Sequence, residues 1–120
     1  MEVMISRGDD GNQPLCAKTK IDLGFDRRAL VIRTSRSGMG LESQAFVVQD
    51  SECGRFESRA YGRGKYGDFS QRLRFRNAAR DTEKAVLSLH DAALANVERV
   101  MAKALAYYGQ GANGAKPALQ

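Results

Sequence analysis

The chain has one histidine and two cysteines in 120 residues, and that scarcity excludes more chemistry than any motif supplies. Cys16 and Cys53 are separated by 36 residues with no Cys-x-x-Cys pair, and His90 stands alone. A structural zinc site needs about four closely spaced thiol or imidazole ligands, so no metal is expected, and no cofactor. The cysteines read as reduced thiols, with a single disulfide between them left open.

Long apolar runs are lacking too. The longest uninterrupted aliphatic stretch is Ala29-Leu30-Val31-Ile32, far short of the roughly 20 residues of a membrane-spanning helix. The opening residues, MEVMISRGDDGNQPL, do not join a cationic start to an apolar block, so no secretion signal is read and the expected location is cytoplasmic. Catalytic signatures are also missing, and the chain is not expected to be an enzyme. His90 falls in an apolar sector with no serine, cysteine or carboxylate paired to it along the chain, which fits a core or interface histidine. Asp91 and Glu98 read as solvated charges on a polar helix side.

What is present is concentrated positive charge. The net charge is +5, and residues 55–80 hold eight basic side chains against two acidic ones. The rest of the chain is therefore close to neutral, and the positive field has one origin. Such concentration favours a polyanionic partner. Seven of the eight local cations are arginine, whose planar fork suits phosphates and base stacking better than lysine does.

Residues 1–14 are polar and glycine-containing and read as a flexible arm. Residues 15–108 read as one domain, and 109–120 as a disordered tail too small and polar to pack. Alternation with period two marks strands at 15–23, 28–34, 41–49, 55–61 and 69–76, separated by glycine- and serine-rich turns. The second and third are apolar on both sides, which places them centrally with an outer face at least partly covered.

From Asp81 or Thr82, either able to cap a helix, the period changes to 3.6 and holds to about Tyr108. Gly109 is the expected C-terminal cap. The fold class expected is α+β, an antiparallel meander of four to five strands packed on one long C-terminal helix about 40 Å in length. Leu87, Leu94, Met101 and Tyr108 recur every seven residues on the flank of its apolar sector. The plainer reading makes them the edge of the core face. The sharper one makes them a homodimer seam.

The stretch GRGKYG, 62–67, matches G-x-G-x-x-G through Gly62, Gly64 and Gly67, but the residues after it, from Phe69 to Phe75, alternate like a strand instead of opening a helix. A dinucleotide loop is rejected on that ground. The glycines read instead as a hairpin tip carrying Arg63, Lys65 and Tyr66. In the last strand Phe69, Gln71, Leu73 and Phe75 alternate with Ser70, Arg72, Arg74 and Arg76. If the phenyl rings pack under the helix, the three arginines project together from the opposite face. That face would also gather Lys18, Lys20, Arg55, Arg59 and Tyr61, with Tyr61, Tyr66 and Phe46 as stacking platforms for unpaired bases. The plainer reading is a solvated edge whose arginines deter edge-to-edge pairing.

Strands followed by a C-terminal helix resemble, in element order alone and over residues 15–108, the Whirly, PUR and positive-cofactor-4 families, small sheet-plus-helix dimers that bind single-stranded nucleic acid. Their local motifs are not found, and no functional residue is carried over. The leading expectation is a module for single-stranded DNA or RNA. It grips phosphates with Arg55, Arg59, Arg63, Lys65, Arg72, Arg74 and Arg76, stacks bases on Tyr61 and Tyr66, and pairs as a homodimer through the helix. The alternative is a protein-interaction module, an inhibitor or adaptor, docking its basic face on an acidic protein or using an apolar sheet face.

Overall fold

The computed structural model describes residues 2–6, 15–49 and 69–110. Among these residues five strands form one sheet in sequence order: β1 (Met4–Ser6), β2 (Cys16–Asp22), β3 (Arg28–Ser37), β4 (Gly40–Gln49) and β5 (Ser70–Asn77), every neighbouring pair antiparallel. Two helices come after them, α1 (Glu83–Leu94) and α2 (Val97–Tyr107). The α+β meander is thus as the alternation predicts. The strand expected at 55–61 lies outside the described residues, and a short strand at Met4–Ser6 occupies part of the segment read as an arm.

Turn chemistry sets the register. Between β2 and β3, Asp26 and Arg27 take φ of 52° and 54°, and the Arg28 amide closes on the Phe25 carbonyl at 2.9 Å. Two consecutive left-handed residues match the twist of a tight hairpin. Between β3 and β4 the loop is only Gly38-Met39, with Gly38 at φ 60°.

The helices cover one face of the sheet. Ile21, Leu30, Ile32, Ala45, Val47 and Phe69 meet Ala93, Val97, Val100 and Ala104 there, while Ala17 and Leu41 meet Val86 and Leu89 nearer β1. On the other face Ala29, Val31, Phe46 and Val48 form a second buried cluster. The central strands are therefore apolar on both sides at one end, as their sequence anticipates. Full burial of side chains such as these contributes about 1.5–3 kcal/mol apiece.

One long helix is not what forms. Thr82 caps α1 by accepting from the Ala85 amide at 3.2 Å, and α1 stops at Leu94. Asn96 has non-helical φ and ψ of −113° and 20° and starts α2. The Asn96 amide bonds the Ala93 carbonyl, so the Ala92 carbonyl is released from the helical ladder. It accepts instead from Arg74 Nε of β5 at 3.2 Å. Splitting the helix lets both halves lie on a small sheet, as a straight rod of that length would not. α2 ends in a Schellman motif: Gly109, at φ 76°, bonds the Ala106 carbonyl and Gln110 bonds that of Leu105.

Candidate nucleic-acid interface

Cross-strand register decides which side chains share a face. On the sheet face away from α1 and α2, Met4, Lys18, Arg33, Gln44 and Arg72 stand in one row across β1 to β5. Beside it run Cys16, Ser35, Glu42 and Phe75, and on the other flank Lys20, Val31, Phe46 and Ser70. Strands lie about 4.8 Å apart, so Lys18 and Arg33 are immediate neighbours and Arg72 lies two strands farther on.

The expected row of Arg72, Arg74 and Arg76 does not form. Ser43 pairs with Arg74 and Gln44 with Arg72, which leaves Leu73 as an extra residue in a β-bulge. One inserted residue reverses the alternation beyond it. Leu73 and Arg74 both turn toward the helices, Leu73 packing against the main core and Arg74 bonding Ala92. Arg76 pairs with Leu41 on that same side, and only Arg72 stays on the open face. There it forms an ion pair with Glu42, whose side chain is 6% exposed.

The phenylalanines part company for the same reason. Phe69 is buried as expected, but Phe75 lies on the face away from α1 and α2 and is 51% exposed. Phe46 is buried instead of offering a stacking surface. Phe75 rests against Gly40: a Cβ there would run into the Arg76 carbonyl oxygen and sit 2.7 Å from the ring edge. Beside it opens a polar hollow of about 210 Å³ lined by Arg33, Ser35, Glu42 and Gln44, among others.

The remaining expected contacts, Arg55, Arg59, Tyr61, Arg63, Lys65 and Tyr66, lie outside the described residues, as does the glycine stretch 62–67. Of the dimer-seam residues, Leu94, Met101 and Tyr108 pack against the main core and Leu87 against the β1-side cluster. Tyr108 also contacts Phe25, ring centres 6.0 Å apart, and lies under the Arg28 guanidinium at 4.5 Å.

Among the described residues His90 is a titratable group with no exposed surface. Its Nε2 is 2.8 Å from Thr19 Oγ1, its Nδ1 is 2.7 Å from Thr34 Oγ1, and Thr34 is in turn 2.6 Å from Ser43 Oγ. Burial pushes its pKa below the ordinary 6.5, and Asp91 offsets part of that. The chain of hydroxyls satisfies both ring nitrogens and pins α1 to the middle of the sheet. Sequence order foretold a satisfied histidine without naming its partners. Thr19 and Thr34 sit on the two arms of a hairpin, and only the β2–β3 register brings them together.

Among the described residues no cluster of histidine, cysteine and carboxylate is arranged to hold a metal, and no helix is long and apolar enough to cross a membrane. Compared with protein-family models, curated proteins and solved structures, the chain matches none.

Proposed function

We propose that the protein binds single-stranded nucleic acid on the face of its sheet away from α1 and α2. The observation that carries this reading is the cross-strand row of Lys18, Arg33 and Arg72 with the half-exposed Phe75 beside it. Cations alongside an open aromatic ring are what an unpaired strand needs: charge for its backbone and a platform for a base. The buried Glu42 holds Arg72 in place and neutralises part of its charge. Arg55, Arg59, Arg63 and Lys65 add phosphate contacts, and Tyr61 and Tyr66 add stacking, on the strength of sequence alone.

Titration of a labelled oligonucleotide by fluorescence anisotropy tests this. Three phosphate contacts on a single strand give a log–log salt slope of roughly −2, steeper if the 55–65 cations take part. Absence of binding at low ionic strength removes the proposal.

One observation favours a second reading, a protein-docking surface. Met39 is 80% exposed at the tip of the hairpin that also abuts Phe75, and a small apolar knob of that kind suits a protein groove. In that case Met39→Ser weakens partner capture and leaves oligonucleotide affinity unchanged.

A further inference from the structure

The bulge that removes Arg74 from the sheet's open face delivers it to a different place. Beneath β5, where α1 gives way to α2, a cleft of about 180 Å³ is lined by Arg74, Arg99 and Lys103, together with the amide side chains of Gln71 and Asn96. Its apolar wall is Leu73, Ala93 and Val100, and among the described residues no carboxylate lines it.

Three cations converge here from two elements. Asn96, Arg99, Val100 and Lys103 fall on one side of α2 by helical spacing, and Arg74 reaches the junction because the released Ala92 carbonyl takes its Nε. Among the described residues none of the three is ion-paired with an acid. Arg99 and Lys103 are also like charges four apart, an arrangement that weakens an isolated helix. Unbalanced positive charge in a concave site becomes favourable once an anion fills it. Asn96 lines the cleft without capping α2 through its Oδ1, and its Nδ2 is a neutral donor.

We propose that this cleft binds a compact phosphate group, a dianion held by Arg74, Arg99 and Lys103 with Asn96 as a neutral donor. Guanidinium groups converging from two sides match the geometry of phosphate oxygens, and the space far exceeds the ~10–15 Å³ that a single water requires. The site lies on the helix side of the sheet, so it does not depend on the open face binding a polymer. The group can belong to a small phosphorylated molecule or to the 5′ end of a nucleic acid chain.

The experiment is an amide NMR titration of the full chain with inorganic phosphate, ionic strength held constant with chloride. Saturable shifts at Gln71, Arg74, Asn96, Arg99 and Lys103 are expected. Arg99→Ala with Lys103→Ala, both exposed positions, should weaken binding at least about tenfold while the rest of the spectrum is kept. In a second arm, a 5′-phosphorylated oligonucleotide that shifts these amides where its 5′-hydroxyl counterpart does not assigns the group to a chain end. Equal behaviour of the two oligonucleotides, with inorganic phosphate still saturating, assigns it to a small molecule. Shifts that do not saturate, that gather at Lys18 and Arg33 instead, or that persist in the double variant overturn the proposal.

Discussion

The two faces of the sheet are made from alternate residues of the same strands, yet they differ in kind. The face under α1 and α2 is closed by aliphatic contacts and one hydroxyl–imidazole chain. The opposite face is apolar at one end and changes to lysine, arginine, glutamate and an exposed phenyl ring at the other. In β3 the change occurs within one strand: Ala29 and Val31 are buried on the face away from α1 and α2, and the next side chain on that face is Arg33. Burial and charge are thus sorted along the strand as well as across it.

Truncating one residue on each face separates them by the widest margin. Ile32→Ala, under the helices, should cost about 2–5 kcal/mol of unfolding free energy in a denaturant titration, the range for a truncated core aliphatic. Gln44→Ala, on the open face, where its residue has few apolar contacts to lose, should stay within about 0.5 kcal/mol. Equal costs would mean that the faces are not distinct. Next in size is Thr34→Val, which keeps the shape but strips His90 Nδ1 and Ser43 of their partner. A loss of about 1–3 kcal/mol is expected from the unmet buried groups. A neutral outcome would show that the hydroxyl chain contributes nothing.

The same histidine makes the closed face sensitive to acid. Because the native state holds the His90 pKa below 6.5, the unfolded chain takes up a proton first as pH falls. Stability is then unaffected by this group well above 6.5, declines as pH drops through 6.5 toward the native pKa, and levels off below it. Chemical denaturation between pH 8 and 5 should show that slope, and His90→Gln should flatten it.

On the open face, Phe75→Ala should leave stability near wild type and lower single-strand affinity by roughly 1–3 kcal/mol, the scale of one stacked base. Phe75→Tyr should bind nearly as wild type, because the ring is what stacks. The smallest effect expected is on mass: the flank residues Leu94, Met101 and Tyr108 are partly taken up by the core, so light scattering tests whether enough apolar surface remains for a second copy.

The order of β2, β3 and β4 was legible because hairpin-connected strands alternate plainly, and their central position because β3 and β4 are apolar on both sides; the direct pairing of β4 with β5 and the edge strand β1 were not, since a strand at 55–61 was read between β4 and β5 and 1–14 as an arm. The helix break was not. Neither glycine nor proline marks it, and it is stabilised from outside by Arg74, a residue distant in sequence. The bulge at Leu73 was equally hidden, since residues 69–76 alternate without interruption. Only pairing with β4 shows that one residue is surplus, and that surplus moves Arg74, Arg76 and Phe75 to faces opposite those read from the chain. Composition therefore located the positive charge, while the direction of each side chain depended on a long-range pairing.

Whether the open face is the binding face can be decided by an anisotropy comparison using a 5′-hydroxyl single-stranded oligonucleotide at low salt, with thermal melts confirming that each variant folds. Lys18→Ala with Arg33→Ala, from the open face, should weaken binding at least about tenfold, while Arg76→Ala, from the helix side of the same sheet, should stay within about twofold of wild type. Loss of binding on changing Arg76 with Lys18 and Arg33 indifferent, or no binding by the unaltered protein, would contradict it.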